Sequence, residues 1–84
     1  MNNKLFIGSL PWAVDDAALG NLFAEFGEVI SARVITDRES GRSRGFGFVE
    51  YNNEASGQAA IDAMNGKEVE GRAISVDFAR PQQD

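Results

Sequence analysis

Apolar and polar residues alternate along two stretches of this 84-residue chain, and such alternation marks strands that bury one face. In Lys4-Leu5-Phe6-Ile7-Gly8, Leu5 and Ile7 share one face while Lys4, Phe6 and Gly8 share the other. In Arg44-Gly45-Phe46-Gly47-Phe48-Val49-Glu50-Tyr51, one face receives Arg44, Phe46, Phe48 and Glu50, and the other receives Gly45, Gly47, Val49 and Tyr51. Size alone would turn the phenylalanines inward. They share their face with Arg44 and Glu50, however, and such charged side chains are almost never fully buried unless paired. The glycines opposite leave bare backbone on which another layer can pack closely. The pattern therefore predicts Phe46 and Phe48 facing water beside an arginine.

Between and after these strands the period changes to that of a helix. Leu19, Leu22, Phe23 and Phe26 fall at i, i+3, i+4 and i+7, one buried stripe of a helix over 15–26. Asp15 suits its N-cap, Asp16 the positive end of its dipole, and Gly27 its stop. Gly20 inside it costs about 1 kcal/mol relative to alanine. A second helix over 54–64 follows Asn52-Asn53, either of which suits a cap, and ends at Asn65-Gly66. Its stripe, Gly57, Ala60, Ile61 and Met64, is offset by 38 from the first, which makes the chain a weak internal repeat of two β-α-β halves. Pro11-Trp12 breaks the first strand; Trp12 can be read as another base-stacking ring, but its place outside the sheet face favours packing against the start of the first helix.

Val29 to Thr36 reads as another strand, with Ala32 and Val34 inward and Ser31, Arg33 and Ile35 outward. Asp37 to Ser43 is a polar loop, which reads equally as a solvated hairpin tip and as an arm closing on a ligand through Arg38 and Arg42. Lys67 to Arg72 is a short ribbon. Ile74 to Phe78 is the last strand, with Ile74, Val76 and Phe78 inward and Ser75 and Asp77 outward. The order β-α-β-β-α-β is a split β-α-β, or ferredoxin-like, α+β fold: a four-stranded antiparallel sheet with both helices on one face. We expect one domain over 1–84, ordered from about 4 to 80, with a frayed C-terminal tail.

Charge refines this picture. The chain carries 8 Lys and Arg against 13 Asp and Glu, a net charge of −5, although nucleic-acid binders are usually basic. The two predicted helices contain no Lys or Arg and hold Asp15, Asp16, Glu25, Glu54 and Asp62, which equals the whole net charge. All the bases lie on strands, loops and the tail: Lys4, Arg33, Arg38, Arg42, Arg44, Lys67, Arg72 and Arg80. Such a molecule is polarised, and its acidity argues against indiscriminate polyanion binding rather than against a local site.

The octapeptide Arg44 to Tyr51 meets every specified position of the pattern Lys/Arg-Gly-Phe/Tyr-Gly/Ala-Phe-Val-x-Phe/Tyr, and the chain thereby resembles the RNA recognition motif family. Leu5 to Leu10 resembles that family's second motif, a hexamer with an aromatic at its second position, here Phe6, which stands 38 residues before Arg44. The resemblance implies the strand order 4-1-3-2, bringing Phe6 beside Phe46 and Phe48. It further implies that Phe6 and Phe48 each stack a base, that Phe46 packs against sugars and that Arg44 pairs with a phosphate. Lys4, Arg33, Arg38, Arg42 and Arg80 supply further phosphate or planar contacts. Gly57 stands where the family usually shows alanine, which predicts a less stable second helix.

The expected partner is single-stranded RNA, with single-stranded DNA left open, held over two to four nucleotides by a monomer. Two stacked bases contribute about 2–6 kcal/mol before ordering costs, and about three neutralised phosphates give a log–log salt slope near −2. A rival of another class is a protein-interaction module of the same fold, using the sheet or the helical face; Glu50, Asp77 and the low pI speak for it, the three retained aromatics against it.

An enzyme is the poorest fit. Cysteine and histidine are absent, removing nucleophilic triads and most zinc sites, so no catalytic residue, metal or cofactor is expected. Asp15 and Asp16 are adjacent on a helix and point about 100° apart, so they form no acid/base pair. Likeness of topology to small acyl-phosphate hydrolases carries little weight. No apolar run approaches the roughly 20 residues of a membrane span, and the absence of a targeting signal leads to an expectation of the cytoplasm.

Overall fold

A computed structural model describes residues 3–79. Arg80 and the expected fraying of the tail lie outside the described residues. The elements are β1 (Lys4–Gly8), α1 (Asp16–Phe23) continued by a 3₁₀ turn (Ala24–Phe26), β2 (Val29–Thr36), β3 (Ser43–Tyr51), α2 (Glu54–Met64), β4 (Glu68–Val69), β5 (Arg72–Ala73) and β6 (Ser75–Phe78). Strands β2-β3-β1-β6 form an antiparallel sheet in that order, while β4 and β5 pair with each other as a separate ribbon. This is the expected order, with β6 as the last strand of the main sheet.

Each helix starts where its cap predicts. The Asp15 carboxylate accepts from the Ala18 N–H at 2.8 Å, and the Asn53 side chain accepts from the Ser56 N–H at 2.8 Å, each satisfying one donor of the first turn. Of the two asparagines it is Asn53 that caps α2. Asp16 does more than complement the dipole: its carboxylate accepts from the Val34 N–H at 2.6 Å and so ties α1 to β2.

The core lies between the helices and the inner face of the sheet. Leu5, Ile7, Val34, Val49, Tyr51, Ile74 and Val76 from the sheet side meet Leu19, Phe23, Ala60 and Met64 from the helices, with Leu10 and Val14 closing one end. Leu22, Phe26, Ile61 and Phe78 are half-buried against it. The Tyr51 hydroxyl donates to the Phe23 carbonyl at 2.5 Å within this core. Desolvation of the phenol, with the nearby Glu25 charge second, raises its pKa well above its ordinary value.

Two glycines explain how closely the layers approach. A Cβ on Gly47 would stand 2.5 Å from the Arg33 carbonyl oxygen and 3.1 Å from a Leu19 methyl. A Cβ on Gly57 would stand 3.2 Å from the Phe78 ring and 3.4 Å from Leu5, so α2 gives up alanine's helix propensity there to admit the Phe78 ring.

The structure corrects one expectation. Trp12 does not pack under the helix start; its side chain is 70% exposed. The buried pegs on either side, Leu10 and Val14, fix the turn, with the Leu10 N–H donating to the Gly45 carbonyl and the Val14 N–H to the Pro11 carbonyl, and Trp12 projects between them. Near the start of β3, Gly45 has a φ of +86°, in the left-handed region that favours glycine. It lies within a register irregularity between Val34/Gly47 and Thr36/Ser43. The predicted alternation of buried and half-buried positions holds from Phe46 to Tyr51.

Candidate nucleic-acid interface

The sheet face opposite the helices carries an aromatic cluster because β1 and β3 pair in register. Phe6 stands directly across from Phe48, and Gly8 across from Phe46. The Phe6 ring lies 5.7 Å from both the Phe46 and Phe48 rings, and Phe46 and Phe48 are 6.5 Å apart at 90°. These tilted and edge-on contacts suit aromatic quadrupoles. None of the three belongs to the buried core: Phe6 is exposed, Phe46 and Phe48 half-buried.

Neighbouring backbone shapes the cluster. A Cβ on Gly8 would stand 2.8 Å from the Ser75 hydroxyl oxygen and 3.3 Å from the Phe6 ring, so the bare Gly8 backbone leaves Phe6 its place over the sheet. Lys4 sets its ammonium 4.9 Å from the Phe48 ring centroid, a cation–π contact worth about 0.5–1 kcal/mol at an exposed site. Lys4 stands opposite the half-buried Glu50 in the strand register. Toward the other side of β1, Phe6, Phe48, Asp77, Phe78 and Ala79 line a hollow of about 350 Å³.

The predicted cationic residues are spread around this centre. Arg33 is exposed on β2, directly across from Phe48, so a cation flanks the rings on the strand opposite β1. Arg44 is exposed near the start of β3, two residues before Phe46. Its charge is felt at Asp37, whose carboxyl is held below its ordinary value first by the Glu39 and Ser40 N–H groups and then by Arg44. Arg38 and Arg42 are exposed on the β2–β3 loop. That loop is a built turn, with the Asp37 N–H donating to the Arg42 carbonyl at 2.7 Å and the Gly41 N–H to the Asp37 carbonyl at 2.8 Å. The structure thus gathers Phe6, Phe46, Phe48 and Lys4 at one centre, with Arg33 beside them and Arg38, Arg42 and Arg44 toward the loop end. Lys4 over Phe48 follows from the strand register, a long-range fact with no local signal.

Among the described residues, no group of three or more acidic, histidine or cysteine side chains is placed to hold a metal ion. No helix among them is long and apolar enough to cross a membrane.

The chain is similar to known proteins in sequence and in fold. Glycine-rich RNA-binding protein 2, mitochondrial, from Arabidopsis thaliana is 58% identical over 79 residues, 94% of this chain and 50% of the relative. RNA-binding protein CP31B, chloroplastic, from the same plant is 53% identical over 76 residues, 90% of this chain and 26% of the relative. The chain therefore spans half or less of the length of these curated relatives. A solved Sxl-lethal protein/RNA complex superposes with a TM-score of 0.94 at 32% identity, covering 100% of this chain and 50% of that one. The family model for the RNA recognition motif matches residues 5–75, which takes in both aromatic strands and both helices, and the chain belongs to that family.

Proposed function

We propose that this domain binds single-stranded RNA on the outer face of its sheet, as a binding module without catalysis. The observation that carries the reading is the ring cluster of Phe6, Phe46 and Phe48, held toward solvent by the β1–β3 register with Lys4 and Arg33 beside it. Three aromatic rings outside the core leave apolar surface in water unless something flat covers them, and every base has a face that stacks. The names of the relatives and the RNA in the superposed complex support the choice of ligand.

Phe6 and Phe48 each take one base and Phe46 lies against sugars. Lys4, Arg33, Arg38, Arg42 and Arg44 serve phosphates around the rings. The footprint is two to four nucleotides, and one sheet face carries it, so a monomer suffices. With about three phosphates neutralised the salt slope is near −2, flattened further because salt also screens the repulsion between RNA and an acidic chain. Single-stranded DNA offers the same stacking, and only contacts to the 2′-hydroxyl separate the two. The cytoplasmic expectation gains no support from the two relatives above, one named mitochondrial and the other chloroplastic.

Replacing Phe6 and Phe48 together by alanine tests the reading. Each lost stack lowers affinity by about 1–3 kcal/mol, so short single-stranded RNA should no longer bind measurably while the circular dichroism spectrum and two-state unfolding persist. Unchanged RNA affinity in the folded double variant refutes the platform. A folded domain whose wild-type form binds no RNA but captures peptides turns the function to the protein-interaction class.

A further inference from the structure

The platform uses the rings of β1 and β3 and leaves one aromatic unexplained. Trp12 is the chain's single tryptophan and the most exposed of its large hydrophobic side chains among the described residues, at 70%. A loose terminus or loop tip would make that exposure unremarkable, but the 11–14 turn that carries Trp12 is pinned on both sides. Pro11 before it is buried, and Leu10 and Val14 are core residues at 0% and 3% exposure. The Val14 N–H donates to the Pro11 carbonyl at 3.1 Å, and the Leu10 N–H donates to Gly45 of β3 at 2.8 Å. A rigid turn therefore presents the indole to water with its backbone already ordered, the condition under which an aromatic anchor binds with least entropic loss.

The surroundings say what it faces. Trp12 borders a hollow of about 380 Å³ with Asp15, Asp16, Thr36, Gly41 and Ser43. Gly41 belongs to the loop that carries Arg38 and Arg42, Ser43 opens β3, and Gly45, bonded to Leu10, lies one residue before Phe46. The indole thus stands at the end of the sheet where β1 leaves and β3 enters, at the same end as the loop arginines. The two carboxylates nearby are partly satisfied, since one oxygen of Asp15 accepts from Ala18 and one of Asp16 from Val34. They discourage a phosphate at the indole itself and leave that charge to the arginines of the loop.

We propose that Trp12 is a further stacking station for a nucleobase, one that takes a base of the same RNA strand beyond the Phe6–Phe46–Phe48 platform, with Arg38 and Arg42 on the adjoining phosphates. This rests on the sheet face being the RNA platform. It makes the footprint longer than the platform alone and makes affinity depend on strand length past the first few nucleotides.

The test exploits the single indole, whose emission reports this site alone. Wild-type protein is titrated with dye-labelled single-stranded RNA pools of about three and about eight nucleotides, with binding followed by anisotropy of the dye and stacking by tryptophan emission. The longer pool should quench Trp12 in step with binding and the shorter should bind without quenching. Trp12→Ala should weaken the longer pool by about 5- to 150-fold, the range expected for one lost stack, and leave the shorter unchanged; Trp12→Phe should restore most of the loss. Saturation by the longer pool with unchanged emission, or equal affinity in Trp12→Ala, overturns the Trp12 station and leaves the platform standing. Failure of both pools to bind wild-type protein overturns the platform itself, and this proposal with it.

Discussion

Gly47 separates Phe46 from Phe48 and faces the helices, so a methyl group added there tests which way the strand is turned. In Gly47→Ala the new Cβ would lie 2.5 Å from the Arg33 carbonyl oxygen and 3.2 Å from the Val34 Cα, both backbone atoms of β2, and 3.1 Å from the Leu19 side chain of α1. The leucine can rotate away; the backbone of a paired strand cannot move without stretching the ladder. Overpacking of this kind costs about 1–3 kcal/mol, and obstruction by backbone places the expectation at the upper end. For a domain of this size each kcal/mol lowers Tm by about 4–8 °C, so a fall of about 8–20 °C is expected. The comparison is Gly20→Ala, whose Cβ meets only the Ala32 methyl at an ordinary 3.5 Å and gains up to about 1 kcal/mol of helix propensity. Thermal and urea unfolding of both variants read the difference, and RNA affinity of folded Gly47→Ala should drop because the two flanking rings shift with the strand. A Gly47→Ala protein within 0.5 kcal/mol of wild type, roughly the noise of a surface substitution, would refute the packing argument. So would equal losses in the two variants.

Two further substitutions probe the platform and the core. Gly8→Ala brings a methyl against the Ser75 hydroxyl and the Phe6 ring; adding Ser75→Ala should restore thermal stability but not RNA affinity, because the ring remains displaced. Recovery of both together would show that Gly8 matters only for Ser75. Tyr51→Phe removes the buried hydroxyl that donates to the Phe23 carbonyl and should cost about 1–3 kcal/mol in urea unfolding. Since burial raises the Tyr51 pKa above the value near 10 of the unfolded chain, the unfolded state loses this proton first. The phenol's contribution is therefore complete below pH 10 and declines as pH climbs above it. Tyr51→Phe should flatten that alkaline decline, and a wild-type curve of identical shape would refute the assignment.

What the sequence determined by itself is what depends on neighbours a few residues away. Strand alternation and helical stripes are consequences of backbone geometry repeated residue by residue, so Leu5/Ile7 against Phe6, Val49/Tyr51 against Phe48, and Leu19/Phe23 against the core were readable as patterns. Caps are equally local, because Asp15 and Asn53 reach only three residues ahead. The octapeptide placed the aromatic face because its glycines and charges constrain one strand from both sides.

The tertiary structure decided whatever requires two distant segments to meet. Trp12 reads locally as a packing residue, but the bond from Leu10 to Gly45 and the anchoring of Val14 turn it outward. The left-handed Gly45 is visible in the sequence only as a glycine, and its carbonyl's bond to the Leu10 N–H shows what that backbone meets. Asp16 bonding to Val34, Tyr51 to Phe23 and Lys4 over Phe48 join groups 18, 28 and 44 residues apart. Periodicity carries no record of such partners, because they are selected by the free energy of the closed fold, where each buried donor must find an acceptor and each ring a surface.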